Sequence, residues 1–214
     1  MQCDTQGISF CFDEESASML KDYRKNGLSK TAKTILSALT TYGLAGKTVL
    51  ELGCGFGALT VALLRAGAAS AVGIDLSPKM VETANSLAFD AGFSKEASYR
   101  VGDGAKESLA ASDVVVLDTV LCCYPDLRAL LDNSSSAATR YYAISIPDDR
   151  RPLTRLLKAL LPLQPLFRRG TFRFFVHPTR TVVRMLEDKG FKVVHDSTAG
   201  WVWSVLVFAA PAAS

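Results

Sequence analysis

Val49-Leu50-Glu51-Leu52-Gly53-Cys54-Gly55-Phe56-Gly57 is the stretch on which the fold turns. Lys47–Leu52 reads as a buried strand, the glycines as a tight loop, and Leu59–Ala66 as a helix that stops at Gly67. Glycines directly after a first strand let the backbone turn sharply and approach a ligand closely. The helix that follows aims its N-terminal amides at that ligand.

The same alternation continues downstream. Ala69–Ile74 is a second strand, and Ser77-Pro78 supplies an N-cap with proline at the first helical position. Met80, Ala84, Leu87, Ala88 and Ala91 then form one apolar helical face. Ser98–Val101 reads as a third strand, and the unbroken Val114–Leu117 as a fourth, covered on both faces. Asp126–Ala138 is a helix and Tyr141–Ile146 a fifth strand. Strands alternating with helices predict an α/β, Rossmann-like doubly wound sheet, mostly parallel, with right-handed crossovers. Two helices, around Glu14–Arg24 and Ser29–Thr41, precede it. Pro178–Lys189 is a last helix, and Phe191–Asp196 with Trp201–Phe208 form a terminal antiparallel hairpin around Ser197–Gly200, giving about seven strands. The expected organisation is one domain over 1–214: an N-terminal helical segment (13–42), a core (47–146), an insertion (148–176), and the final helix and hairpin (178–209).

Composition agrees with a globular chain. Of 214 residues, 49% are hydrophobic and 21% charged, which excludes a disordered tail, a collagen-like fibre and a coiled coil. The net charge of +3 hides a split: residues 1–149 carry 13 basic and 18 acidic side chains, residues 150–214 carry 11 and 3. Such asymmetry points to partners. The first ten residues lack the pattern of a secretory signal, and no window is apolar for the roughly 20 residues of a spanning helix. Cys3, Cys11, Cys54, Cys122 and Cys123 form no C-x-x-C pair and have no histidine at ligand spacing, so no metal site is expected. Reduced thiols in a cytoplasmic protein are the economical reading.

Two acids follow the glycine loop. Asp75 ends the second strand, 22 residues after Gly53, where a carboxylate can accept both hydroxyls of a ribose. Asp103, in Gly102-Asp103-Gly104, ends the third, within reach of an adenine amine in such a sheet. With these residues the chain resembles the class I S-adenosylmethionine-dependent methyltransferases. ELGCGFG (51–57) matches their first motif, GIDLSPKMVETA (73–84) the second-strand motif and GDG (102–104) the third, over residues 47–146. The resemblance implies S-adenosylmethionine as cofactor. Gly53, Gly55 and Gly57 would border its methionine part, and Glu51 would brace the amino-acid end. Asp75 would hold the ribose, Leu76 and Met80 would flank the adenine, and Asp103, with Gly104 beside it, would take the exocyclic amine. Tyr23, in the segment joining the two N-terminal helices, stands where related enzymes close the pocket with a tyrosine; surface packing is its alternative.

A nicotinamide dehydrogenase is the rival reading, because Gly53-x-Gly55-x-x-Ala58 satisfies a loose dinucleotide fingerprint. Against it, the third glycine falls one residue early, Glu51 precedes the loop, and no second mononucleotide half follows. A cofactor-binding module without catalysis, holding a partner on its basic part, is a further alternative.

The methyl would be transferred near Leu117-Asp118-Thr119-Val120-Leu121-Cys122-Cys123-Tyr124-Pro125. The Asn/Asp-Pro-Pro-Tyr/Phe motif of nucleobase methylation is not there, so nucleic acid is disfavoured. The stretch is distantly similar to the enzymes that esterify a magnesium-porphyrin propionate, though many relatives carry a histidine where Cys123 stands. Asp118 is a candidate for the methionine end or for catalysis, or else a strand-end acid bonded to nearby amides. Tyr124 could meet the acceptor or merely pack ahead of Pro125. Cys122 and Cys123 read as small buried hydrophobes, because a thiol nucleophile or soft-metalloid site would need a third well-placed sulfur that the sequence does not offer. His177 is either a general base for a phenol or thiol, or an N-cap or satisfied loop residue before the last helix. His195 reads as an exposed strand residue.

Roughly 30 residues after the fifth strand exceed the minimal fold. Leu153, Leu156, Leu157, Leu160 and Leu161 form one helical stripe, closed by Pro162 and Pro165, before the Arg-aromatic run 167–175. Arg150–Met185 contains nine Lys or Arg and no acid. A lid for an amphiphilic, anionic small-molecule acceptor, peripheral contact with an anionic membrane through 151–175, a phosphate-binding patch and a contact between two copies all fit these residues. The lid explains both leucines and placement. The expected activity is methyl transfer to an oxygen or sulfur of a small, hydrophobic or anionic molecule.

Overall fold

The computed structural model describes residues 5–160 and 173–212. In chain order the elements are α1 (Thr5–Asn26), α2 (Lys30–Thr41), β1 (Thr48–Leu52), α3 (Ala58–Arg65), β2 (Ser70–Asp75), α4 (Pro78–Asp90), β3 (Ala97–Val101), β4 (Ser112–Leu117), α5 (Leu127–Ser136), β5 (Ala138–Pro147), α6 (Pro152–Leu160), α7 (Thr179–Glu187), β6 (Lys192–Ala199) and β7 (Trp203–Ala209). The seven strands form one sheet in the order β3-β2-β1-β4-β5-β7-β6. β1 to β5 are parallel, and β7 pairs antiparallel with both β5 and β6. The expected doubly wound sheet with a terminal hairpin is therefore the architecture.

Strand alternation explains the two-sided core. Along β4, Val115 and Leu117 join a cluster with Leu130 and Leu131 of α5 and with Val182 and Leu186 of α7. Val114 and Val116 face the opposite way, onto Ile35 and Leu39 of α2 and Leu59 and Leu63 of α3. The chain leaves β1 toward β2 and leaves β4 toward β5. The strand order thus reverses between β1 and β4, and a crevice opens at their carboxyl ends.

Three local expectations shift. The first helix begins at Thr5, not near Glu14. Ser197-Thr198-Ala199, expected in the hairpin turn, extends β6 by pairing with Val205, Ser204 and Trp203. The turn is Gly200–Val202 instead. His195 is half-buried, bonded to Ser197 at 2.7 Å and edge-on to Tyr42, because a register shift between Val193 and His195 turns it inward.

The insertion leaves the sheet at Asp148-Asp149. Asp148 is buried and holds Arg150 and Arg151, with the Ser204 hydroxyl donating to it at 2.7 Å. Asp149 accepts from the Thr179 N–H at 2.9 Å, joining the start of α7 to the end of β5. Thr154 of α6 donates to the Val202 carbonyl, which seats this helix on the hairpin turn. Of the leucine stripe, Leu153 and Leu156 are exposed. Leu161, Pro162, Pro165 and residues 167–172 of the Arg-aromatic run, with the side chains of Leu157 and Leu160, lie outside the described residues.

Candidate functional site

A cavity of about 730 Å³, open mouth included, lies at the carboxyl ends of β1 to β4. Gly53 and Gly55 line it after β1, Asp75 and Leu76 after β2, Gly102, Asp103 and Gly104 after β3, and Asp118, Thr119 and Val120 after β4. Met80, Cys123, Tyr124 and Leu130 complete the sheet side. Ile8, Phe12 and Met19 of α1 form the opposing wall.

Of the residues singled out from sequence, Gly53, Gly55, Asp75, Leu76, Met80, Asp103, Gly104, Asp118 and Tyr124 meet in this one cavity. Tyr23, Glu51, Gly57 and His177 are not among its lining. Tyr23 packs its ring on Phe56 of the glycine loop, centroids 5.5 Å apart, so it clasps the loop from outside. Glu51 is buried beneath the loop and accepts from the Thr60 hydroxyl of α3. Burial pushes its carboxyl up to about 8, with the nearby Asp118 and Asp75 adding to the rise and the Thr60 bond opposing it. Gly57 caps α3 in the left-handed region; a Cβ there would stand 2.8 Å from the Tyr99 hydroxyl. Its work is close packing. Gly55, at φ 52°, is different: nothing lies within 4 Å of the position a Cβ would take, so its backbone faces open cavity.

Asp75 ties two loops together. One carboxylate oxygen accepts from the Gly55 N–H at 2.8 Å, the other from the Ser77 N–H at 2.9 Å. Each oxygen keeps a lone pair for a further donor. Burial raises its pKa, and these two amides oppose the rise. Asp103 accepts from the Tyr124 hydroxyl at 2.7 Å and the Ala105 N–H at 3.1 Å, and pairs with Lys106 at 3.0 Å. Asn133 of α5 braces this loop by donating to the carbonyls of Gly104 and Glu107. Tyr124 therefore crosses from the β4 loop to the β3 end, and its hydroxyl is engaged with Asp103. Its phenol is pushed above its ordinary value by burial and by that carboxylate.

Asp118 accepts from the Ser145 hydroxyl at 2.5 Å, and Ser145 in turn accepts from the Thr119 N–H at 2.7 Å. Burial raises the Asp118 pKa; hydrogen bonds from Ser145 and Thr31 work the other way. Thr119 has φ 59°, a costly conformation for a β-branched residue, placed at the cavity wall. His177 stacks on Phe175, and the Phe175 N–H donates to the Cys122 carbonyl at 2.7 Å. The segment entering α7 is thereby fastened to the β4 loop.

The α1 wall was not anticipated. Its signal was present in Ile8, Phe12, Ser16, Met19 and Tyr23, at i, i+4, i+8, i+11 and i+15 on one helical face. Asp13, beside that face, accepts from the Ser77 hydroxyl and from the Lys79 N–H at 3.1 Å, fastening α1 to the start of α4.

A glycine loop, an open backbone cradle and acids at successive strand ends, walled by apolar residues, make a cavity whose chemistry suits a nucleotide cofactor. Residues 49–140 match the family model of a methyltransferase domain. Over that stretch the chain carries a methyltransferase domain. A ribosomal protein L11 methyltransferase of Erwinia tasmaniensis is 38% identical over 105 residues, 49% of this chain; a counterpart from Aliivibrio salmonicida is 31% identical over the same length. The match spans only 36% and 35% of those relatives' own length. The fold is shared with magnesium protoporphyrin IX methyltransferase of Synechocystis PCC 6803, crystallised with S-adenosylhomocysteine: TM-score 0.74, 23% identity, 95% of this chain and 99% of that one. A Haloferax volcanii methyltransferase solved with its Trm112 activator gives the same TM-score at 15% identity, over 95% and 96% of the two chains. Among the described residues no helix is long and apolar enough to cross a membrane.

Proposed function

We propose that the protein transfers the methyl group of S-adenosylmethionine to an oxygen or sulfur of a small, hydrophobic and anionic molecule. The observation that carries the reading is the convergence of Asp75, Asp103 and Asp118, from the ends of β2, β3 and β4, on one cavity that also holds the open Gly55 backbone. In this assignment Asp75 receives the ribose hydroxyls on its remaining lone pairs, and Leu76 and Met80 flank the adenine. Asp103, oriented by Tyr124, takes the exocyclic amine. Gly53, Gly55 and Asp118 bound the methionine end. Glu51, Gly57 and Tyr23 shape and clasp the loop from behind. Bound S-adenosylmethionine supplies an electrophilic methyl on a sulfonium, so the protein's task is alignment for in-line displacement with water kept out. Ile8, Phe12 and Met19 provide that apolar cover.

The acceptor class rests on other residues. The match to the L11 methyltransferases covers little more than a third of their length and does not carry over what they methylate. Val120 and Cys123 give the acceptor side an apolar wall, and the basic stretch 150–185 favours a carboxylate-bearing molecule. An ionised carboxylate needs no general base, and none is assigned to His177 or Tyr124.

Calorimetry with S-adenosylmethionine, S-adenosylhomocysteine and NAD tests the cofactor, and turnover over a panel of aromatic acids, phenols and thiols tests the acceptor. Binding of NAD alone would sink the reading. Cofactor binding without turnover across the panel would instead favour a binding module.

A further inference from the structure

The loop after β4 brings two neighbouring thiols to the same side. The sulfurs of Cys122 and Cys123 stand 3.4 Å apart, and both lie against the Thr119 carbonyl, at 3.2 and 3.7 Å. Neighbouring side chains of an extended chain would point to opposite faces. Here the positive φ of Thr119, with a turn closed by the Cys123 N–H on the Val120 carbonyl at 2.9 Å, folds them together. Cys122 is buried, Cys123 reaches the cavity wall, and both are free thiols.

We propose that Cys122 and Cys123 form a bidentate site for a soft trivalent metalloid of the monoorganoarsenic(III) class on the wall of this cavity. With bonds from sulfur of about 2.3 Å, the 3.4 Å span corresponds to an angle of about 95° at the bound centre. That suits the near-right angles of a pyramidal trivalent centre better than a tetrahedral ion. Among the described residues no group of three or more His, Cys, Asp or Glu could hold a metal ion, so the donors of a structural zinc site are not assembled. A centre that already carries one carbon substituent needs two sulfurs only. Leu130 and Val120, which share the wall, offer apolar contact to that substituent.

The reaction is a condensation. Two As–OH bonds are replaced by two As–S bonds, each thiol proton leaves with a hydroxide as water, and no oxidation state changes. The hydrogen bond with Cys123 and burial keep the Cys122 thiol protonated, so its proton is released as the As–S bond forms. The site stands on the thiol geometry and is independent of the methyl-transfer reading.

The test is intact-mass measurement on the full chain after treatment with one equivalent of phenylarsine oxide. One adduct per chain is expected, retained in excess 2-mercaptoethanol and removed by 2,3-dimercaptopropanol. Closure of the second bond is intramolecular, so Cys123→Ser and Cys122→Ser should each raise the rate of stripping by the monothiol about 100-fold. Cys11→Ser and Cys54→Ser should leave it unchanged. Cys123 is the more exposed of the pair, so Cys123→Ser remains informative if Cys122→Ser fails to fold. Persistence of a monothiol-resistant adduct in Cys123→Ser, or easy stripping from the unaltered chain, would overturn the proposal.

Discussion

Asp13 in α1 and Ser77 at the start of α4, 64 residues apart in sequence, share a hydrogen bond that holds one wall of the cavity against the other. Ser77 is at once the N-cap of α4, accepting from the Met80 N–H at 3.0 Å, and the donor to Asp13. The carboxylate also lies at the N-terminus of α4, where negative charge is favoured. One carboxylate thus caps a helix and fastens a cover.

Asp13→Ala removes this fastening while leaving Ser77 as cap. A loss of about 1–2 kcal/mol in stability is expected, the scale of a lost capping interaction. S-adenosylhomocysteine affinity should fall with it, because Ile8, Phe12 and Met19 are no longer held over the cavity. Thermal unfolding with and without ligand checks both.

Asp75→Ala should weaken cofactor binding by about tenfold or more, since hydrogen bonds to charged groups contribute roughly 1.5–3 kcal/mol. Asp75→Asn keeps one acceptor oxygen and should fall between the two. Unchanged affinity in calorimetry would refute the ribose assignment.

Tyr124→Phe separates positioning from proton transfer. If the hydroxyl orients Asp103, the substitution costs about 1 kcal/mol, read as a raised KM for cofactor with kcat nearly kept. A fall in kcat of about 100-fold or more would instead mark a general base.

Glu51 governs a pH dependence. Its folded pKa of about 8 lies above the ordinary 4.5, so the folded state binds the proton more tightly than the unfolded chain. The stabilisation is complete below 4.5 and is lost as pH rises toward 8. Asp75 and Asp118, also raised, act in the same direction. Asp148, lowered to about 2 by its bonds to Arg150 and Ser204 against the cost of burial, opposes them only at acid pH. The melting temperature of the unliganded protein should therefore decline between pH 4.5 and 8, and less steeply in Glu51→Gln.

The strand-end acids were legible because a residue's place at the carboxyl end of a strand follows from the strand itself. Asp75 and Asp103 needed only the sheet register to meet. The Asp103–Tyr124 bond depends on the path of the β4 loop, which no periodicity encodes. The α1 wall was obscured because Asp13, Glu14 and Glu15 interrupt the apolar face and lower its contrast. Glu51 was tied to the cofactor by motif alone, whereas burial and Thr60 place it beneath the loop. Cys122 and Cys123 read as packing because only three dimensions reveal that the two sulfurs converge.

The Asp149–Thr179 hydrogen bond joins residues 30 positions apart, so the excursion between them leaves and rejoins the sheet through one closed neck. Loop closure varies slowly with length, about 0.6 kcal/mol per doubling. By that scaling, a change in the number of residues between the two anchors costs little in loop-closure free energy. On the proposed reading, a part of the chain that helps select the acceptor can change while the cofactor cavity stays as it is.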